Sequence, residues 1–286
     1  MVNKNYTEEV KNYFKDKASE YDLVDKQVYW VLSDNLLWHI WNNEVLNKIN
    51  KPIRFLDAGG GTGRWSIKLL ENYYDSSGEI IDMSPQMLDE AKKKIHLFNY
   101  DNRLKCCCDD LDGCVIKDKY NVIFSFHNVL GFVKSPENVI KKLVDSLEIG
   151  GYLVCVVPNY YHGIFFNLFN NNVKMAEKCY EESVGKFTSN MPDMRFFRPE
   201  EFKDWYEKFG LKIVGSYGFP ISIYPGMQET QLRGQTQMLK DLLEDEENFQ
   251  KIYEMEKVIC MKPEAVARGN NLIFIGKKEN VSYEDE

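Results

Sequence analysis

No apolar run in the 286 residues approaches the roughly 20 needed to cross a bilayer, so no membrane association is expected. The first 30 residues are charged throughout and contain no apolar stretch of the kind a secretory signal carries. A cytoplasmic location is therefore the expectation. Positive charge is in deficit: 36 Lys and Arg face 44 Asp and Glu, for a net charge of −8. A non-specific grip on nucleic acid needs clustered cations that displace counterions, so a nucleic-acid partner is not expected. The C-x-x-C pairs of metal and redox sites are missing. Seven cysteines, an odd number in a long chain without a signal, read as reduced thiols. Cys106-Cys107-Cys108 would alternate between the two faces of a strand, which keeps them from converging on one ion. No metal is expected.

A dinucleotide fingerprint is also missing. Counted from Gly59, the sixth position of a G-x-G-x-x-G pattern is Arg64, so the hydride chemistry of nicotinamide enzymes is disfavoured. What stands there is Phe55-Leu56-Asp57-Ala58-Gly59-Gly60-Gly61-Thr62-Gly63-Arg64-Trp65. An apolar strand breaks into glycines, and Trp65-Ser66-Ile67-Lys68-Leu69-Leu70 then carries apolar residues at helical spacing. Strand, glycine turn and helix hold a nucleotide-type ligand at the C-terminal edge of a parallel sheet. The glycines allow close backbone approach, and the helix offers free N–H groups.

Downstream, strands alternate with helices. Gly78-Glu79-Ile80-Ile81-Asp82 reads as a second strand, and Ser84-Pro85 caps a helix that buries Met87, Leu88, Ala91 and Ile95. Asp82 lies about twenty positions past the glycines, where an acid accepts hydrogen bonds from a ribose diol in folds of this type. Residues 103–108 form a third strand ending in Asp109-Asp110-Leu111-Asp112. A fourth, Tyr120-Asn121-Val122-Ile123-Phe124-Ser125-Phe126, runs into His127. Ser135-Pro136 caps the next helix, Gly150-Gly151 ends it, and a fifth strand leads to Pro158-Asn159. Strands six and seven are expected at 211–215 and 271–275. This order implies an α/β fold with a doubly wound, mostly parallel sheet.

Three segments decorate this core of residues 51–276. Residues 1–50 read as a helical extension, with Val10, Tyr13 and Phe14 on one stripe and Ser33-Asp34 capping a helix through Leu36, Leu37, Ile40 and Trp41. Residues 160–198 lose clear periodicity and are expected to form a lid or substrate wall. Residues 227–266 form a highly charged helical insertion, and residues 277–286 a polar tail.

The glycine stretch, the Asp82-Met83-Ser84-Pro85-Gln86-Met87-Leu88 run and the acids after strand three resemble the motifs of class I S-adenosylmethionine-dependent methyltransferases of the small-molecule type. The resemblance covers residues 50–276. It implies a Rossmann-like sheet of seven strands with the last antiparallel, an N-terminal helical lid, and S-adenosylmethionine as cofactor. It implies cofactor contacts at Tyr21, Asp57, Ala58, Gly59, Gly61, Gly63, Asp82, Met83, Met87, Leu111, Phe126 and His127. An acid among Asp109 and Asp110 is expected on the adenine amine, with Asp109 preferred as the first past the strand. Tyr21 belongs to a Tyr-Asp pair similar to one ahead of the first motif in that family.

His127 is the best-placed ionisable group near the transferable methyl. It is read either as a catalytic base or as a residue that only lines the cofactor. Tyr160, Tyr161, His162 and Arg195 are the candidate substrate contacts. The expected activity is methyl transfer to oxygen or nitrogen of a small molecule. The alternatives are a peptide or tRNA acceptor, or a non-catalytic module that binds S-adenosylmethionine. The oligomeric state is not readable.

Overall fold

The structure, a computed structural model, describes residues 4–223 and 237–280. The stretch 227–236 of the expected charged insertion and the end of the expected tail, 281–286, lie outside the described residues.

In chain order the elements are α1 (Lys4–Lys17), a 3-10 stretch (Ala18–Lys26), α2 (Val28–Glu44), β1 (Arg54–Ala58), α3 (Arg64–Asn72), β2 (Ser77–Asp82), α4 (Pro85–Leu97) and β3 (Leu104–Cys108). Then come β4 (Tyr120–Ser125), α5 (Val129–Phe132), α6 (Pro136–Asp145), β5 (Leu147–Pro158), α7 (Tyr160–Phe169), α8 (Val173–Glu182), β6 (Val184–Gly185) and β7 (Met194–Arg195). The chain closes with α9 (Pro199–Lys208), β8 (Leu211–Phe219), α10 (Gln237–Glu244), α11 (Glu246–Ile259) and β9 (Asn271–Lys278). The main sheet has seven strands in the order β3-β2-β1-β4-β5-β9-β8. Strands β3, β2, β1, β4 and β5 pair in parallel, and β9 runs antiparallel to both neighbours. This is the doubly wound, Rossmann-like sheet that the resemblance implies, and the order reverses between β1 and β4, where such sheets bind ligands.

Side-chain alternation divides the core into two layers. Phe55, Ile80, Val122, Phe124, Val154 and Ile273 face α2, α3, α4, α10 and α11. Leu56, Ile81, Ile123, Leu153, Cys155 and Phe274 face α6 and α9. Strands buried on both faces read as near-continuous apolar runs, as β4 and β5 do here. A third, smaller cluster joins Val10 of α1 to Phe132, Tyr160, Cys179, Met191, Met194 and Phe196. Tyr6 adds a hydrogen bond of 2.5 Å to the carbonyl of Asp193. The N-terminal helix and the 160–198 segment thus form a single cap.

Several local readings differ from the structure. Ser33 and Asp34 do not cap a helix, because α2 begins at Val28 and carries both in its interior. Burial against the sheet overrides the capping preference, and Asp34 serves instead as a counter-ion to Arg64. β5 begins at Leu147 rather than after Gly150-Gly151. Tyr120 pairs with Leu147 and Val122 with Tyr152, so the glycines sit in a bulge, with Gly150 at φ +81°. The aperiodic 160–198 segment holds two helices. α7 is apolar on both sides, with Phe166 buried while Leu168 and Phe169 are exposed, which hides its period. All seven cysteines are free thiols. No helix among the described residues is long and apolar enough to cross a membrane.

Trp41 is fully buried and meets the rings of Trp38, Trp65, Phe124 and Phe126 at centroid distances of 4.7 to 6.3 Å. Trp41→Ala is expected to cost about 3–5 kcal/mol in urea unfolding. A loss under about 1 kcal/mol would show that α2 is not part of the core.

Candidate active site

The glycine loop between β1 and α3 is held by two acids. Asp82, at the end of β2, accepts a hydrogen bond from the Gly61 N–H at 2.9 Å and another from the Ser84 N–H at 2.8 Å. Gly61 takes φ +53°, a conformation that L side chains rarely adopt, and this turns its N–H toward Asp82. Asp57 is buried and accepts from Ser66 Oγ at 2.7 Å. Burial pushes both carboxyls up, Asp57 to about 7 and Asp82 to about 6.

The 3-10 stretch Ala18–Lys26 is tied across this loop. Asp22 accepts from Thr62 Oγ1 and from Lys94 Nζ, each at 2.6 Å. Asp25 pairs with Arg64, which also pairs with Asp34. A cavity lies beneath. Its walls include Tyr21, Asp57, Gly59, Gly61, Asp82, Met83, Met87, Asp110, Leu111, Phe126 and His127, gathered from the ends of four strands and from the N-terminal segment. Gly60, Thr62, Arg64, Trp65, Val10, Phe14, Val129, Phe132 and Val133 complete it.

Three expected contacts are absent from this lining. Asp109 gives way to Asp110: its carboxylate is exposed and accepts from the Asp110 N–H at 2.8 Å. Ala58 is fully buried, and its carbonyl accepts from Ser125 Oγ. Gly63 serves helix–sheet packing, since a Cβ there would lie 3.0 Å from Ile80 Cδ1.

The four expected substrate contacts are also elsewhere than in this cavity. Tyr160 donates to the Tyr180 carbonyl at 2.9 Å. His162 is buried beside Phe187, with Nε2 3.1 Å from Asn270 Nδ2. Arg195 pairs with Glu201, and Tyr161 is exposed on α7. All four build the cap or its flank.

His127 and Asn128 follow β4 with φ of 56° and 68°, consecutive left-handed conformations in non-glycine residues. His127 Nε2 accepts from Trp65 Nε1 at 2.6 Å and lies 3.6 Å from Asp34 Oδ1. The bond from Trp65 occupies the Nε2 lone pair, so the proton resides on Nδ1. Burial holds the imidazole neutral, lowering it to about 4. The ring is thus arranged to donate a hydrogen bond through Nδ1. Sequence reasoning missed Arg64, Trp65, Asp34 and Thr62, whose partners are distant in the chain. The Tyr21-Asp22 pair was the one signal for the strap.

Beside this cavity, and sharing Phe14, Tyr21, Arg64, His127 and Phe132 with it, is a second chamber. Its remaining walls are Tyr13, Lys17, Val24, Trp30, Asn128, Met191 and Asn271. No cluster of metal-ligating side chains occurs among the described residues.

A model of the methyltransferase domain matches residues 38–216 of the chain. The chain belongs to this methyltransferase family. It is an enzyme whose methyl donor is S-adenosylmethionine. The methyltransferase is 25% identical over 193 residues to the tRNA 5-carboxymethoxyuridine methyltransferase of Escherichia coli strain K12, covering 66% of this chain and 71% of that one. It is 29% identical over 147 residues to the malonyl-[acyl-carrier protein] O-methyltransferase of Acetivibrio thermocellus, covering 49% and 46%. Its fold resembles a solved S-adenosylmethionine-dependent methyltransferase from Clostridium acetobutylicum, with TM-score 0.56, 12% identity, and 91% and 97% of the two chains covered. The cavity suits the donor. It offers a carboxylate for hydroxyl groups, apolar walls for a flat ring, and the aromatic faces of Phe14, Tyr21, Trp65 and Phe126 near a sulfonium cation.

The raised carboxyls set a sign for pH dependence. The folded methyltransferase binds protons at Asp57 and Asp82 that the unfolded chain, near 3.8, has released. Stability from these groups therefore falls as pH rises from about 4 to 7. Urea unfolding of Asp57→Asn should show the variant gaining on wild type by about 1 kcal/mol or more between those limits. Parallel curves would mean that Asp57 is ionised throughout.

Proposed function

We propose that the methyltransferase transfers a methyl group from S-adenosylmethionine to an oxygen or nitrogen atom of a small-molecule acceptor. The observation that carries this reading is the second chamber. It adjoins the donor cavity across shared residues and is walled by Tyr13, Phe14, Trp30 and Phe132 beneath the N-terminal segment. A pocket assembled from α1, the strap and the cap, half open to the surface, suits a compact molecule. The net charge of −8 supports the same reading against an RNA acceptor. The relatives' names include a tRNA enzyme and an acyl-carrier-protein enzyme, and the test below separates these classes of acceptor.

In this reading Asp82 receives the ribose hydroxyls of the donor, and Asp110, Leu111 and Met83 surround its adenine. Methyl transfer is a substitution at carbon: the acceptor's lone pair forms the new bond as the carbon–sulfur bond breaks, leaving the neutral thioether of S-adenosylhomocysteine, while the positive charge passes to the acceptor and leaves as its O–H or N–H proton to solvent. Rate comes from alignment and exclusion of water, so a strong base is not required. His127, neutral with its proton on Nδ1, steadies the polar end of donor or acceptor by donation. Asn128 Oδ1 is buried and accepts no hydrogen bond from the described residues, which makes it a partner for an O–H or N–H on the acceptor.

Asp82→Ala should weaken S-adenosylmethionine binding by about 1–3 kcal/mol in calorimetry, and unchanged affinity would remove Asp82 from the donor site. With labelled donor and a cell extract, the label should appear in the dialysable fraction. Label confined to RNA or protein would contradict a small-molecule acceptor.

A further inference from the structure

The second chamber contains a charge that the fold does not balance. Two of its twelve lining residues are cationic at neutral pH, Arg64 and Lys17, and none is an Asp or Glu. Arg64 is neutralised from outside the chamber by Asp25 and Asp34. Lys17, at the end of α1, has no carboxylate partner among the described residues: its ammonium donates to the Tyr13 hydroxyl at 2.5 Å and lies 4.2 Å from the same ring's centroid. A solvent-facing lysine would need no counter-ion, but this one is partly buried among Tyr13, Phe14, Trp30 and Phe132. Desolvation alone lowers its pKa, to about 8, with no carboxylate opposing the shift. Placing an unpaired ammonium in an apolar chamber is unfavourable unless a ligand supplies the opposite charge.

We propose that Lys17 is the anchor for a carboxylate on the methyl acceptor, and that the acceptor is a flat or apolar organic acid seated between the aromatic walls. The proposal rests on the reading of this chamber as the acceptor site. One ammonium with one neighbouring hydroxyl matches a singly charged carboxylate. A phosphate dianion would leave half its charge unmatched. The carboxylate forms a charge-assisted hydrogen bond with Lys17 in place of the bond to Tyr13, and the ring walls exclude water from the pair. Because α1 carries Lys17, an acid in the chamber also draws the N-terminal helix onto the site.

The test is equilibrium binding to the full chain saturated with S-adenosylhomocysteine, using benzoate, its neutral counterpart benzamide, and phenyl phosphate as probes. Wild type should bind benzoate more tightly than either of the others, on the order of tenfold or more, the scale of a charge-assisted hydrogen bond. Lys17→Met should abolish that preference while leaving S-adenosylhomocysteine affinity unchanged and thermal unfolding at or above the wild-type temperature, since it removes a desolvated charge. Lys17→Arg should retain it. Equal binding of benzoate and benzamide, no binding of either, or a preference that survives Lys17→Met would overturn the carboxylate anchor. Tighter binding of phenyl phosphate would overturn the assignment to a carboxylate. The broader reading fails separately: a benzoate preference that depends on Lys17, together with methyl label found only in RNA or protein, would leave the anion site standing and remove the small-molecule acceptor.

Discussion

The Asp82 carboxylate, fixed between the N–H groups of Gly61 and Ser84, is the contact on which the rest of the site depends. One side chain ties the loop after β1 to the turn after β2, and so sets the distance between two strand ends. The cost is a buried carboxylate: burial raises both Asp82 and Asp57, and the charge of Asp82 adds a smaller rise at Asp57. Such a pair is tolerable where a ligand supplies hydroxyl donors or a positive charge, and S-adenosylmethionine brings both. The stability forfeited at these acids is supplied by the aromatic layer around Trp41 and Phe124, which supports the loop from beneath.

Above the loop, charge does the work that apolar packing does below. Asp22 holds Thr62 and Lys94, and Asp25 holds Arg64, so the strap Ala18–Lys26 is fastened by polar contacts around a ligand-sized space. Polar fastenings over a cavity break more readily than a packed core, which suits a segment that must admit and release ligands. The cap contributes a different kind of support. Val10, Phe132, Met191 and Phe196 bury one another in a cluster separate from the two layers of the main core. The site therefore lies between the sheet edge and a smaller body with its own apolar cluster.

The sheet was legible in the sequence because its strands are apolar runs separated by glycines and capped helices, as at Ser84-Pro85 and Ser135-Pro136. The donor side was legible for a related reason: Gly61 and Asp82 act through local backbone geometry, which leaves a mark at short spacing. The second chamber, the proposed acceptor side, was not. Lys17, Asn128, Met191 and Asn271 come from four separate parts of the chain and carry no common pattern. Tyr160, His162 and Arg195 were chosen because the segment carrying them should face the substrate; in the structure they meet Tyr180, Asn270 and Glu201. Asp34 was misplaced as a cap because its partner, Arg64, is thirty residues away. Asp109 and Asp110 differ only in which carboxylate turns inward, and the turn geometry that decides this is invisible in composition.

The account holds that segments far apart in sequence converge on one donor molecule. Hydrogen exchange of the full chain with and without S-adenosylmethionine tests this most directly. Protection should rise together in the glycine loop at 59–62, at Asp82 and Met83, at Asp110 and Leu111, and in the strap at 18–26. Protection confined to other parts of the sheet, with these four segments unchanged, would contradict it.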